Sequence, residues 1–370
     1  MPQPSKDEYA GRLERVREQM ERAGVDCLLV GPSTDLVYLT GLESRQSERM
    51  KLLMVPRDGE PRFVIPAFEL PHLEALPPLF DAAPWVDGQQ PAELLASLLP
   101  RKGGAPTVAV GAQLHTHFTL RIQSAAPDAR YVSGEAVLEP ARMRKTPYEV
   151  ETLRAASEAA DRVFEQLLRT PVEGRSEREV LGEIRRLLVA NGHDSLTGGG
   201  IVGFGPNGAS PHHHASDRRG AAGDAVVVDY GGVLGGYHSD ITRTFHLGAP
   251  GDEFREVYAI VSEANDAAVA AAGPGVTAEQ IDRVARDVIE RAGYGERFLH
   301  RTGHGIGLDG HEAPYLVTGD RTVLEEGMTF SIEPGIYVEG RFGVRIEDIV
   351  VVTANGVDRL NRSSHELQIA

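Results

Sequence analysis

One cysteine, Cys27, is all the chain offers for a disulfide, and it lies inside the apolar run Cys-Leu-Leu-Val. A disulfide framework is excluded, and the thiol reads as a small buried hydrophobe. Apolar stretches of about 20 residues, the length a membrane helix needs, are also missing. The polar, charged N-terminus has no apolar segment behind it, which predicts a chain without a secretory signal. Positive charge is scarce: 38 Lys plus Arg stand against 54 Asp plus Glu, a formal charge of −16. Such a surface repels nucleic acid and anionic membranes, so neither is expected as a partner. There is no low-complexity linker and no solenoid-type repeat. These absences predict a soluble, cytoplasmic protein, with part of its acidity available for a site that binds cations.

The chain has 370 residues, 41% of them hydrophobic, long for one core and natural for two domains. Residues 7–23 read as an amphipathic helix with Tyr9, Leu13, Val16, Met20 and Ala23 on one face. Strands are expected at 25–30, 35–42, 52–55, 62–65 and 107–111, and their alternation with helices suggests an α/β first domain spanning 1–136. The texture changes at Thr146-Pro147-Tyr148-Glu149, where a capping threonine, a first-turn proline and a glutamate three residues after the cap predict a helix start. A second domain, 146–370, then carries helices near 146–168, 177–191, 252–272 and 278–292. It has a Gly-rich loop at 197–208 and strands at 225–230, 241–245, 329–332, 335–338 and 345–352. Two acidic, hairpin-like segments in it, around 229–240 and 333–347, echo each other.

Those segments hold the chemistry. Asp229 ends the apolar run Val-Val-Val, and a buried carboxylate there must be neutralised by an arginine, by exposure or by a metal. Asp240 lies where a hairpin returns to the same place. Glu333 stands directly before a Pro-Gly turn, and Glu347 sits inside what reads as an apolar strand. His304 is flanked by glycines that permit close backbone approach to a ligand. Four carboxylates and one imidazole could neutralise two divalent ions, a bridging carboxylate holding them about 3.5–4 Å apart. An oxygen-rich set with one nitrogen suits Mn²⁺, Fe²⁺ or Co²⁺, with Zn²⁺ also admissible.

In order, Asp229, Asp240, His304, Glu333 and Glu347 resemble the ligand set of the pita-bread metallopeptidases. The carrying segments are Val-Asp-Tyr-Gly-Gly at 228–232, Ser-Asp-Ile-Thr-Arg-Thr at 239–244, Gly-His-Gly-Ile-Gly at 303–307, Glu-Pro-Gly-Ile-Tyr at 333–337 and Arg-Ile-Glu-Asp at 345–348. The resemblance implies a pita-bread catalytic domain behind a smaller α/β domain, and reads the echo as the family's pseudo-twofold duplication. It implies two divalent ions per chain, manganese foremost. Asp229 would chelate one and His304 with Glu333 the other, while Asp240 and Glu347 would bridge. A metal-activated water would attack the peptide bond, and Glu333 would carry its proton to the leaving nitrogen.

The same resemblance gives His212, after Pro211, a hydrogen bond to substrate or to the developing oxyanion. His311, in Gly-His-Glu-Ala-Pro, matches the second active-site histidine of the Xaa-Pro branch. Methionine aminopeptidases lack that segment and a large first domain, and creatinase lacks the metal ligands. Arg345 would orient a ligand carboxylate, strand alternation placing it on the same face as Glu347. Tyr337 resembles a tyrosine near the scissile bond. The implied substrate is a small peptide with proline second, the implied assembly a homodimer. Archaeal-type prolidases carry an arginine after the His-Glu-x-Pro segment to bind the dipeptide carboxylate, and here that place is Tyr315. The first domain offers instead Asp35 for the substrate's α-ammonium and Arg45 for its carboxylate. The expectation is an Xaa-Pro dipeptidase, with an Xaa-Pro aminopeptidase acting on longer peptides as the alternative.

Overall fold

The computed structural model describes residues 4–101, 103–196 and 199–370. The chain forms two compact units that divide between Arg142 and Met143.

In the first unit a mixed six-stranded sheet runs in the order Asp81–Trp85, Arg62–Pro66, Leu52–Pro56, Cys27–Val30, Thr107–Val110, Arg130–Ser133. The helix Lys6–Ala23 begins at Ser5, whose hydroxyl accepts from Glu8 N, and ends at Gly24 in the left-handed region. Its Leu13, Val16 and Met20 are buried, as the apolar spacing requires. One expectation is corrected here. Residues 34–40, read as a strand from Leu-Val-Tyr-Leu-Thr, are a two-turn α-helix, Thr34–Thr40, with Ser33 as cap and Gly41 at φ 76° terminating it. The β-branched and aromatic side chains favour a strand only weakly, and the two caps decide the outcome. Cys27 is fully buried, as expected.

The second unit builds one plan twice. Helices Pro147–Leu168 and Glu177–Ala190 share a core with the antiparallel strands Ile201–Phe204, Ala225–Tyr230 and Ile241–His246. Helices Asp252–Ala271 and Ala278–Arg291 do the same for a five-stranded sheet, in which Gly303–Gly305, Thr329–Ile332 and Asp348–Thr353 are neighbours. The first of these helices starts at the capping box foreseen in the sequence: Thr146 Oγ1 accepts from Glu149 N at 3.3 Å, and Glu149 Oε2 from Thr146 N at 2.9 Å. In the segment read as a Gly-rich loop, Ile201–Phe204 is a strand and Gly205–Ala209 a 3-10 turn, while Thr197 and Gly198 lie outside the described residues. Among the described residues no helix is long and apolar enough to cross a membrane.

Candidate metal centre and active site

The duplicated plan delivers two carboxylates from each half. Val226, Val228 and Tyr230 join the helix-covered core, so the period of two turns Asp229 to the opposite face. Its partner across the ladder is Thr242, and Asp240 immediately precedes that strand. In the second half Ile332 pairs with Asp348, so Glu333 leaves one strand where Glu347 enters the other. Buried Asn265 fixes this spacing: its Nδ2 donates to Ile332 O at 2.8 Å and to Ile346 O at 3.1 Å.

All five side chains line one cleft of about 750 Å³. Oxygen atoms of Asp229, Asp240 and Glu347 lie within 4.8 Å of one another, and the same holds for ligand atoms of His304, Glu333 and Glu347. Glu347 belongs to both groups. Burial, reinforced by Asp229 and Glu333, holds the Asp240 carboxyl well above the usual range. Burial and the charge of Asp240 do the same to Glu347. Glu333 is pushed up to about 7, chiefly by burial. Burial and neighbouring His311 hold the His304 imidazole down to about 3, so it is neutral. Its Nδ1 lies 3.1 Å from Gly305 O, an acceptor, so the ring proton is there. The Nε2 lone pair therefore faces Glu333 Oε1 at 3.3 Å. A lone pair beside four converging carboxylates is an arrangement that cations stabilise and their absence penalises. The donor set fits two divalent ions.

The glycines around His304 also have a structural reason. A Cβ at Gly303 would collide with Ser331 O, and one at Gly305 with Ala313 O. They admit the neighbouring strands. The Glu347 segment also differs. Residues 345–352 form two strands, Phe342–Arg345 and Asp348–Thr353, and Glu347 occupies the break between them. Arg345 and Glu347 nevertheless converge, because both bond to Thr242 Oγ1, at 3.0 and 2.7 Å.

Arg345 is buried and spends its guanidinium on the cleft. Nη2 donates to Asp229 Oδ2 at 2.5 Å and Nη1 to Tyr337 OH at 2.7 Å. The Tyr337 hydroxyl lies 2.7 Å from His300 Nε2. His300 Nδ1, 2.7 Å from Arg301 O, carries the ring proton, so Tyr337 is the donor to Nε2. The His311 ring lies against that of His304, tilted by 30° with centroids 3.7 Å apart. His212 lines the cleft on a segment held by Glu177. That buried carboxylate accepts from Phe204 N, Asn207 Nδ2, His213 Nε2, Ser216 N and Ser216 Oγ at 2.6–2.9 Å. Burial raises its pKa, yet these donors outweigh that and bring it to about 2.

The two first-domain residues, Asp35 and Arg45, belong to the first unit. Asp35 is buried in the first unit and paired with Arg142 at 2.6 Å, while Arg45 is exposed in the segment after Gly41. Sequence reasoning missed His300, Arg301, Thr242 and Glu177. His300-Arg301, immediately ahead of Thr-Gly-His, was the available signal. Glu177 gave none, since an acid in a helix's first turn is ordinary.

The profile of metallopeptidase family M24 matches residues 151–354, and that of the creatinase/prolidase N-terminal domain matches 12–144. A probable dipeptidase PepE of Mycobacterium tuberculosis is 43% identical over 363 residues, 97% of this chain and 96% of that protein. An Xaa-Pro dipeptidase of Lactobacillus helveticus is 36% identical, over 96% of this chain and 98% of that protein. The crystal structure of dipeptidase PepE from Mycobacterium ulcerans superposes with a TM-score of 0.94 at 43% identity, covering 100% of this chain and 99% of that one.

Proposed function

Since the chain belongs to metallopeptidase family M24, and is accordingly a peptidase dependent on divalent metal ions, we propose that it hydrolyses the Xaa-Pro bond of dipeptides at a two-metal centre held by Asp229, Asp240, His304, Glu333 and Glu347. The observation that carries this reading is the pair of ligand groups sharing Glu347. The names of the relatives, dipeptidase and Xaa-Pro dipeptidase, support the substrate class.

When bound, the ions, manganese foremost, supply Lewis acidity and a water nucleophile at neutral pH. The protein's own groups do the rest. Glu333, a carboxylate at the edge of the ligand cluster in the cleft, is the group placed to take a proton from water and return it. The proton has a necessary destination. Proline's amide nitrogen carries no hydrogen, and as a leaving group it must gain one. His212 and His311, both facing the cleft, are the hydrogen-bonding groups for the substrate carbonyl and its developing charge. Arg345 fixes the Asp229 carboxylate, and Tyr337 fixes Arg345 in turn.

The test compares initial rates of the manganese-loaded protein on Ala-Pro, Met-Pro, Ala-Ala and Ala-Pro-Ala. Fast cleavage of the two Xaa-Pro dipeptides, with little on Ala-Ala or the tripeptide, is the predicted outcome. Preference for the tripeptide makes the protein an Xaa-Pro aminopeptidase instead, and indifference to proline removes the Xaa-Pro assignment altogether.

A further inference from the structure

Two guanidinium groups line the cleft, Arg301 and Arg345. Arg345 is committed to Asp229, Thr242 and Tyr337. Arg301 is not committed in this way. Among the described residues it makes no ion pair, and its one side-chain hydrogen bond runs from Nη2 to His311 Nδ1 at 2.9 Å. Its guanidinium lies over the Tyr315 ring, 4.6 Å from the centroid. A half-exposed cation without an ion-pair partner among the described residues, on the wall of the cleft that holds the proposed metal ligands, calls for a ligand with negative charge.

The chemistry of a dipeptide supplies one. In Xaa-Pro three bonds separate the scissile carbonyl carbon from the C-terminal carboxylate carbon, which places them within about 4 Å of each other. The group that reads the carboxylate must therefore stand next to the metal-binding cluster. Arg301 does: it bonds to His311, whose ring lies against that of His304 with centroids 3.7 Å apart. The imidazole of His311 thus links Arg301 to His304, one of the proposed metal ligands.

We propose that Arg301 is the specificity-determining residue that binds the substrate's C-terminal carboxylate, a role that rests on the dipeptidase reading above. Stacking on Tyr315 fixes the guanidinium plane. His311 occupies one of its N–H groups and leaves others for a planar, charge-assisted pair with a carboxylate. The tyrosine that removes an arginine after the His-Glu-Ala-Pro segment thus becomes the platform for another. The contact with His311 has a second effect. A guanidinium only donates, so Nδ1 is the acceptor and the neutral ring carries its proton on Nε2. This second effect is independent of the substrate's C-terminus, which lets experiment separate the two.

The experiment compares wild type, Arg301→Ala, Arg301→Lys and Arg45→Ala, all manganese-loaded, on Ala-Pro and on its C-terminal amide. Wild type is expected to favour the free acid. Arg301→Ala is expected to raise KM for Ala-Pro by about 10- to 100-fold, the loss of one charged hydrogen-bonded pair, and to affect the amide only through the lost His311 contact, a smaller loss that both substrates share. Arg301→Lys should recover part of the loss, because charge persists without the planar fork. Equal losses on both substrates would overturn the proposal and make Arg301 a positioning residue for His311. So would unchanged kinetics, or a carboxylate-specific loss in Arg45→Ala in place of Arg301→Ala. Wild type that cleaves acid and amide equally well refutes the Arg301 role while leaving Xaa-Pro peptidase activity intact. Wild type that cleaves neither removes the underlying activity and the proposal with it.

Discussion

Asp240→Ala is expected to lower kcat/KM on Ala-Pro by about 10³-fold or more, even with manganese in excess. The magnitude follows from the several kcal/mol that metal polarisation contributes to a hydrolytic transition state. Asp240 is grouped with Asp229 and Glu347 on one side and with His304 and His311 on another. Its loss leaves three carboxylates where four converge. The same change should not destabilise the metal-free protein. Burial and the neighbouring acids already disfavour the Asp240 charge, so removing it relieves repulsion that only a cation offsets. Kinetics at saturating manganese, with melting curves in chelator, check both halves. Retained activity would show that Asp240 is not a ligand. A large fall in the melting temperature of the metal-free variant would show that the carboxylate is structural.

Arg345→Ala carries the second large effect, by a different route. The guanidinium is buried, and its removal leaves Asp229 without its 2.5 Å partner. Metal affinity should fall about 10- to 100-fold, the usual consequence of deleting a group that orients a ligand. Stability should fall as well, by about 1–3 kcal/mol, because the half-buried Asp229 carboxylate and the buried Tyr337 hydroxyl each lose a donor. High manganese should recover much of the affinity defect. Arg345→Lys should restore charge without the fork that reaches Asp229, Thr242 and Tyr337 together. Measured manganese affinity within a factor of two of wild type in Arg345→Ala would contradict this account.

The proposed metal ligands stood out in the sequence because their surroundings do not explain them. Acids at the ends of Val-Val-Val and in Val-Arg-Ile-Glu-Asp-Ile-Val must be neutralised somehow, and an ordered family pattern supplies the rest. The helix cap at Thr146 was legible for a local reason, since its hydrogen bonds involve residues three apart. What stayed hidden depends on distant contacts. Residues 34–40 are the exception, looking like a strand only until the flanking Ser33 and Gly41 are weighed as caps. The break at Glu347 reflects Asn265, which binds Ile332 O and Ile346 O from another helix. Glu177 and Arg301 are ordinary in sequence. They matter because of what folding brings to them: five donors to one, and an aromatic face with an imidazole to the other.

The most direct test of a two-metal centre is a titration of chelator-stripped protein with manganese, following bound ions per chain and Ala-Pro hydrolysis together. The account predicts no activity at zero metal and activity saturating as two ions bind per chain. Full activity without metal, or saturation with no ion bound at these five residues, would contradict it.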